Sequence, residues 1–482
     1  MNKAINNVVS LIVGQSINLG LSLLSISLAA RYLGVELFGK FGALLAMITI
    51  ISKLFDFGFP SVVFREMSLK HEDYKYLNSA ILITITSYLI SATCLNLVMI
   101  FLSLSSIEIV LLNLLLFNTI LSAKFNNVRE LLNTPFKVNL LMNVPMMIVI
   151  FDNIIFLILV ILMPVINGGL TYFILGYVFS NLPGFFILSF YLSRKFNFRF
   201  TLEFGAVKWL FKEALPLYGY LILDSLFQQL DIILIKYFHG DYEVGIYSVA
   251  VRLVFPLLVI PYAVIQTVFP RIVQNIYSLS NQNEKLIVIV YKILFGLAII
   301  ISLLFTFKSQ EVITLLFGLN FEKSALPTSI LLWSQIFIYY SYFTINLFLA
   351  YNKQALIFRY AIVVLAVNIL INLVLVPHFS FLGASIAKIF AAFFGSIFIM
   401  ATHYNLKKRL YFLSIRMLIW LTTVLLLCFL SSYFSLLLYF VMSSLMIFIS
   451  MIYIQYFTKE ELLLFFNIIK RPRIAMFLLK FY

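Results

Sequence analysis

The sequence predicts an all-α, polytopic membrane protein with about 14 transmembrane helices. Three observations predict this fold class. Of the 482 residues, 63% are hydrophobic and 11% are charged, whereas soluble domains have about 45–50% apolar and about 25% charged residues. The apolar runs are about 18 to 25 residues long, the length that a helix needs to cross about 30 Å of hydrocarbon. The third observation is an internal repeat in the chain.

This repeat links two stretches that lie about 206 positions apart. Each copy predicts a short turn bounded by two glycines, followed by one membrane helix with a basic residue at its end. Six predicted helices per copy is an even number, so the two copies share one orientation and are related by an axis along the membrane normal. The equivalent positions are Gly34 and Gly240, Gly39 and Gly245, and Arg65 and Arg271.

The apolar runs divide the chain into three predicted parts. The N-terminal lobe, 1–207, contains predicted helices 1 to 6 and a basic linker, and the C-terminal lobe, 208–407, contains helices 7 to 12. The remainder, 408–482, contains helices 13 and 14 and a basic tail. The two six-helix lobes are expected to leave a cleft for a substrate. The predicted helices cover, in order, about 8–30, 40–62, 77–103, 107–123, 139–163, 170–193, 214–238, 245–270, 286–307, 326–350, 356–376, 381–402, 413–432 and 434–457.

The linker between the two lobes predicts an amphipathic segment. Lys208 and Lys212 are interleaved there with Val207, Trp209 and Phe211. Apolar and basic side chains on opposite faces are typical of a helix that lies in the membrane interface.

The net charge of +15 is attributed to membrane topology and not to a nucleic-acid partner. The reason is that the basic residues lie in short loops on alternate sides of the apolar runs. With a cytoplasmic N-terminus, about 26 of the Lys and Arg residues fall on the cytoplasmic side and about 4 on the outer side. Both termini are therefore predicted to be cytoplasmic. Cys94 and Cys428 lie far apart in apolar runs and the histidines are scattered, so no disulfide framework, metal site, catalytic residue or bound cofactor is expected.

Charged residues inside predicted helices are the first candidates for a substrate site, because each costs about 2.5 to 3.5 kcal/mol on insertion scales. Lys53 lies near the middle of predicted helix 2, and Asp56 follows three residues later on the same face. Two interpretations remain open. In the first, the two charges neutralise each other and the pair only packs inside the lobe. In the second, Lys53 binds an anionic substrate group and Asp56 modulates this binding.

Predicted helix 7 carries a polar stripe whose members recur at steps of four, four and three residues. The stripe either lines the cleft or packs against helix 8. Its two carboxylates are the predicted site of a coupled proton or sodium ion. The stripe consists of Tyr220, Asp224, Gln228 and Asp231.

Predicted helix 8 has Arg252 and Gln266 on one face, and Pro256 and Pro261 are expected to bend it. Arg252 is a candidate for substrate binding, for snorkelling to the surface, or for pairing with Asp231. These alternatives stay open in the sequence.

Three further arginines are candidate substrate-binding residues or simple anchors. Arg31 and Arg65 bracket the first copy of the repeat at opposite membrane faces, and Arg271 is the equivalent of Arg65. Lys292 and Lys388 are expected to snorkel.

Amide and carboxyl groups inside other helices are expected to form interhelical hydrogen bonds. These groups belong to Asp152, Asn368 and Asn372.

Several motifs resemble those of the polysaccharide-export branch of the multidrug/oligosaccharidyl-lipid/polysaccharide flippase superfamily, which contains O-antigen and capsule repeat-unit flippases. The resemblance covers roughly predicted helices 1 to 12. It rests on L-F-D-F-G-F-P-S-V-V-F-R-E, A-L-P-L-Y-G-Y, L-D-I-I-L-I, H-G-D-Y-E-V-G-I-Y-S-V-A-V-R-L, V-F-P-R-I and V-N-I-L-I-N-L-V-L-V-P-H-F-S-F-L-G-A-S-I-A.

The resemblance implies a protein of the bacterial cytoplasmic (inner) membrane. It implies that this protein moves an undecaprenyl-diphosphate-linked oligosaccharide from the inner to the outer leaflet for lipopolysaccharide or capsule synthesis. The expected partners are this lipid-linked substrate, membrane lipid, a polysaccharide polymerase and a chain-length regulator. On this interpretation, Lys53 and Arg252 neutralise the diphosphate.

Two other functions fit the sequence. A cation-coupled multidrug extruder is compatible with the acidic stripe of predicted helix 7. A membrane glycosyltransferase or polymerase would need a sizeable outer loop with catalytic groups, and the longest outer connection offers only Glu311 and Glu322. The chain lacks Walker, G-x-S-x-G and H-E-x-x-H motifs, so ATP hydrolysis is not expected.

Overall fold

The computed structural model describes nine stretches of the chain, and the regular structure in them is helical. The stretches are 2–69, 74–101, 105–125, 127–139, 141–196, 203–274, 281–351, 353–402 and 415–468.

The described helices are numbered here α1 to α17. Short 3₁₀ segments at Phe255–Leu258 and Leu319–Ser324 join two pairs of them. The helices are α1 Asn2–Leu54, α2 Phe59–Leu69, α3 Lys75–Phe101, α4 Ser106–Leu121, α5 Val128–Val138, α6 Asn143–Leu162, α7 Leu170–Phe179, α8 Leu182–Lys195, α9 Phe204–His239, α10 Asp241–Val254, α11 Val259–Gln274, α12 Asn281–Phe317, α13 Ala325–Ala350, α14 Gln354–Thr402, α15 Ile415–Ser431, α16 Leu436–Tyr453 and α17 Lys459–Ile468.

Among the described residues, 8 helical spans are long and apolar enough to cross a membrane, and Ser106–Leu121 and Arg416–Ser431 are shorter apolar helices. The predicted all-α, multi-pass membrane fold is therefore confirmed. The total of about 14 crossings stays a prediction.

The glycines predicted to begin the two copies of the repeat have the same backbone conformation. Gly34 has φ 76° and ψ 174° and kinks α1, and Gly240 has φ 87° and ψ −170° and ends α9. A positive φ is strained for residues with a Cβ, so glycine is the residue that allows both turns. Each turn leads directly into the next apolar helix.

In the described ranges, the structure has two helix interruptions, and one of them lies inside a predicted membrane helix. Predicted helix 2 was expected to run unbroken over about 40–62, but α1 ends at Leu54 and α2 begins at Phe59. Phe57 and Gly58 both have positive φ, at 54° and 73°, which helical residues do not adopt. A second interruption separates α4 from α5, where the sequence predicts a connection over about 124–138 and the structure has a helix.

From Phe204 onward, the predicted linker segment forms the start of α9, whereas residues 197–202 lie outside the described residues. Its location in the membrane interface stays a prediction. Its apolar residues pack on other helices of the N-terminal part of the chain. The Trp209 and Tyr76 rings lie 4.5 Å apart, and the Phe211 and Phe59 rings lie 5.3 Å apart. The apolar side chains of this segment therefore contact α2 and the start of α3.

The chain divides into two compact units, Met1–Ser248 and Val249–Tyr482. In the first unit, α2, α3 and α5 share an apolar core around Phe59, Leu131 and Phe136. In the second unit, α12, α13 and α15 to α17 share a core that includes Trp420. The predicted division at 207 and 407 stays a prediction.

Candidate functional site

The predicted pair Lys53 and Asp56 forms an ion pair at the first helix interruption. Lys53 Nζ lies 2.5 Å from Asp56 Oδ2, and Asp56 is only 3% exposed. Asp56 Oδ1 has no hydrogen-bond partner among the described residues. One carboxylate oxygen therefore remains available in a buried position.

The depth of this pair differs from the prediction. Lys53 was expected near mid-helix, but it lies 19 residues after Gly34, which is about 28 Å of helical rise. Lys53 is the last residue but one of α1. The pair is consequently at the end of α1, next to the turn that leads into α2.

Aromatic residues hold this turn in place. The Tyr218 hydroxyl donates a hydrogen bond to the Leu54 carbonyl, which the end of α1 leaves without a helical partner. The Phe57 ring lies 5.0 Å from the Tyr218 ring and 5.0 Å from the Phe211 ring. Because Tyr218 and Phe211 belong to α9, this helix fixes the position of the Lys53–Asp56 pair.

The polar stripe on α9 has two different environments. Gln228 Nε2 donates to Asp224 Oδ2 at 2.6 Å, and both residues are half-buried, as is Tyr220. Asp231 is 0% exposed and accepts a hydrogen bond from the Tyr247 hydroxyl of α10 at 2.8 Å. At Asp231 the stripe therefore packs against the following helix, whereas the Asp224 end is more open.

The predicted arginines belong to four different helices. Arg31 is exposed and Arg252 is half-buried. Arg65 Nη2 lies 2.7 Å from Glu213 Oε2 in an exposed ion pair between α2 and α9. The ion pair with Glu213 explains the position of the Arg65 side chain without a ligand. The backbones of Gln266 and Arg271 belong to α11, but their side chains lie outside the described residues.

The sequence-based reasoning missed a buried ion pair in the first unit. Arg129 Nη2 lies 2.5 Å from Asp152 Oδ2, and Arg129 Nη1 donates to the Leu121 carbonyl at 2.9 Å. Asp152 was expected to form an interhelical hydrogen bond, and its partner is in fact a cation. A carboxylate in the middle of an apolar run was the signal for such a partner, since unpaired charges are rarely buried there.

Lys292 and Lys388 do not snorkel as expected. Lys292 Nζ is held by Glu461 at 2.7 and 2.9 Å, and the Tyr456 hydroxyl donates to the Lys292 carbonyl at 2.9 Å. Lys388 is only 1% exposed, with its Nζ 5.9 Å from the centre of the Phe255 ring. Both side chains are therefore largely buried against protein.

One of the two amides of α14, Asn368, differs from expectation. Asn372 Nδ2 donates to the Asn368 carbonyl at 2.9 Å, which is a bond within one helix. The Asn368 side chain is fully buried, and neither of its polar atoms has a hydrogen-bond partner among the described residues. In the part of the chain that the structure describes, the expected interhelical bond is therefore not made by Asn368.

Comparisons with known proteins identify a family and similar folds. A family model described as polysaccharide biosynthesis protein matches residues 4–276. The fold is similar to that of a lipid II flippase, MurJ, in an inward closed conformation, with a TM-score of 0.69, 16% identity, and coverage of 94% of this chain and 99% of that chain. No curated protein matches the sequence.

Two structures of MATE transporters share the fold. The MATE transporter DinF-BH matches with a TM-score of 0.61, 16% identity, and coverage of 86% of this chain and 97% of that chain. The Vibrio cholerae MATE transporter VcmN, in its bent form, matches with a TM-score of 0.54, 15% identity, and coverage of 83% of this chain and 98% of that chain. At these identities the likeness concerns the fold alone.

Proposed function

Because the chain belongs to the polysaccharide biosynthesis protein family and has the flippase fold of the multidrug/oligosaccharidyl-lipid/polysaccharide superfamily, we propose that it flips an undecaprenyl-diphosphate-linked oligosaccharide repeat unit. The unit moves from the inner to the outer leaflet of the bacterial cytoplasmic membrane by alternating access, in the synthesis of O-antigen or capsule. The chain acts as a transporter and not as an enzyme, and both of its termini are cytoplasmic.

The observation that carries this proposal is the Lys53–Asp56 pair. With a cytoplasmic N-terminus, the turn after Leu54 lies at the cytoplasmic side, where the lipid-linked substrate is loaded. A diphosphate that approaches Lys53 would compete with Asp56 for the ammonium group, and charge-assisted hydrogen bonds to phosphate are among the strong ones. The charge of Lys53 and its place beside this turn therefore support a role in binding the diphosphate when the substrate enters.

Other residues have supporting roles in the proposed mechanism. Arg252, Arg31, Arg65 and Arg271 are proposed to contact the anionic headgroup in other states of the cycle. Asp224 and Asp231 are the proposed site for a coupled proton or sodium ion, and Tyr220, Gln228 and Gln266 line the path. A polysaccharide polymerase and a chain-length regulator are the proposed downstream partners.

Export of surface polymer tests the proposal. The gene is deleted in its host and replaced by Lys53→Ala, Arg252→Ala or the double variant, and surface polymer is measured at equal protein level in the membrane. We expect the double variant to lose export, and Lys40→Ala, whose lysine pairs with Glu108 instead, to retain it. Unchanged export by the double variant would rule out the proposed roles of Lys53 and Arg252.

A cation-coupled multidrug extruder is the second candidate. The half-buried Asp224, which accepts a hydrogen bond from the neutral Gln228 side chain, favours it, because a partly buried carboxylate can bind a proton or an organic cation. Drug sensitivity of the deletion strain separates the two functions. Sensitivity to cationic drugs with normal surface polymer supports the extruder, and loss of polymer with normal drug resistance supports the flippase.

A further inference from the structure

Lys124 lies deep within the membrane-spanning part of the first unit. It is part of the interruption between α4 and α5, and its Nζ is 6.0 Å from the centre of the Phe156 ring. Phe156 is 13 residues from the start of α6 and 6 residues from its end, which is about 20 Å and about 9 Å of helical rise. Tyr177, whose ring centre is 5.0 Å from Lys124 Nζ, is 7 residues into α7, about 10 Å from its start. Both neighbours place the ammonium group well inside the bilayer.

This deep lysine is exposed and has no carboxylate partner within hydrogen-bonding distance among the described residues. A lysine at the bilayer centre costs about 2.5 to 3.5 kcal/mol on insertion scales, so such residues face a cavity or a binding partner and not lipid. Irregular backbone at membrane depth is tolerated where it is buried in protein or lines a water-filled cavity. The exposed side chain and the interrupted helix therefore both indicate a hydrated cavity at Lys124.

The charge around Lys124 is positive. Arg129 and Asp152 form a buried ion pair, and the Asp152 carboxylate also interacts electrostatically with the Lys124 ammonium, so two cations share one carboxylate and one positive charge is left in excess. The turn is held by the Ser122 hydroxyl, which accepts a hydrogen bond from the Lys124 backbone N–H at 3.2 Å. The rings of Phe156 and Tyr177 form the apolar wall against which the ammonium rests.

We propose that Lys124 binds an anionic oxygen group, a phosphate or a carboxylate, of a ligand that enters the membrane-spanning part of the protein. The anionic class follows from the excess positive charge at Lys124, whereas the identity of the ligand as a lipid-linked saccharide rests on the proposed function. Two parts of such a ligand supply this chemistry, the diphosphate next to the lipid and the carboxylate of an acidic sugar. Lys124 is then a second cation for the headgroup, in addition to Lys53.

Binding to the purified full-length protein in detergent tests this site. The probes are undecaprenyl diphosphate, undecaprenol as the uncharged lipid of the same length, and a glucuronate oligosaccharide without lipid. The variants are Lys124→Met, which keeps the length of the side chain without its charge, and Lys124→Arg, which keeps the charge. Lys40→Met is the matched control.

We expect Lys124→Met to weaken binding of one anionic probe at least tenfold, and Lys124→Arg and Lys40→Met to change it less than threefold. The diphosphate or the carboxylate is identified as the group at Lys124 by the probe whose affinity falls. Equal affinity of wild type and Lys124→Met for every probe overturns this site while leaving the proposed function intact, provided that the wild type binds undecaprenyl diphosphate. Failure of the wild type to bind any of the anionic probes overturns both.

Chemical rescue keeps the test valid if Lys124→Met folds poorly. In a background without Cys94 and Cys428, Lys124→Cys is treated with a methanethiosulfonate that adds either an aminoethyl or a neutral ethyl group through a disulfide. We expect labelling, because the side chain is exposed, and recovery of anion binding with the aminoethyl group alone. Equal binding with the two reagents overturns the assignment.

Discussion

The backbones of Gly39 and Gly245, which hold equivalent positions in the two copies of the repeat, touch each other. A Cβ on Gly39 would lie 2.6 Å from the Gly245 nitrogen, and a Cβ on Gly245 would lie 3.0 Å from the Val35 carbonyl carbon. The contact is reciprocal, since each glycine meets the backbone near the other copy's turn. The two copies therefore cross at a distance that only residues without a side chain allow.

Alanine at either glycine is expected to push the two backbones apart where they cross. Gly39→Ala and Gly245→Ala each force the two backbones apart, and overpacking of this kind costs about 1 to 3 kcal/mol. We expect lower melting temperatures in detergent and reduced transport for both variants. The control is Gly20→Ala, because a Cβ at Gly20 meets nothing within 4 Å. Equal melting temperatures for the three variants would contradict the close crossing.

The glycine repeat could be predicted because its physical cause is local. A positive φ and a close backbone approach both select glycine, so Gly34 and Gly240 could be identified by spacing alone. The long apolar runs could also be predicted, because the bilayer imposes their length.

The interruptions could not be predicted from hydropathy. Residues 128–138 contain Arg129, Glu130 and Lys137 and therefore match a cytoplasmic loop, to which the charge count assigned them. The fold buries the Arg129 part of this segment by pairing it with Asp152, which lies 23 positions later in the chain. At the other interruption, Phe57 adopts a positive φ that its residue type does not favour, because Tyr218 and Phe211 pack around it.

Removal of one partner from the Arg129–Asp152 pair is expected to destabilise the protein strongly. Both side chains are almost fully buried, and breaking a buried ion pair costs about 3 to 5 kcal/mol because a charge is left unpaired. Asp152→Asn and Arg129→Met should each lower the melting temperature in detergent. The double variant Arg129→Met/Asp152→Leu should recover much of the loss, since no charge remains.

The exposed pair of Arg65 and Glu213 provides the comparison for this prediction. Exposed ion pairs contribute about 0 to 1 kcal/mol, so Arg65→Met should leave the melting temperature nearly unchanged. A loss as large as that of Arg129→Met would show that burial is not the deciding factor.

The C-terminal helix α17 is expected to make stability depend on pH. Its Glu460 is hydrogen-bonded to Lys285 at 2.8 Å, and this bond together with the lysine charge lowers the pKa of Glu460 below its ordinary value. A carboxylate with a lowered pKa in the folded state stabilises the protein above its unfolded pKa, and this contribution is lost as the pH falls through the folded pKa. Because the pair is exposed, the effect should be small. Melting temperatures of wild type and Glu460→Gln should differ slightly at pH 7 and converge in acid, and a difference that grows in acid would contradict this assignment.

Variants at Lys53 and Asp56 can separate a structural pair from a substrate-binding lysine. Lys53→Met leaves the buried Asp56 carboxylate without its cation, so this variant should unfold at a lower temperature than the wild type. Lys53→Met/Asp56→Leu removes both charges and should restore the melting temperature. If Lys53 binds the substrate diphosphate, this stable double variant still fails to export polymer, whereas the Lys53→Arg variant retains export because it keeps the charge. If the pair only fills the first unit, export returns together with stability. Measuring melting temperature and export on the same set of variants therefore distinguishes the two interpretations that the sequence leaves open.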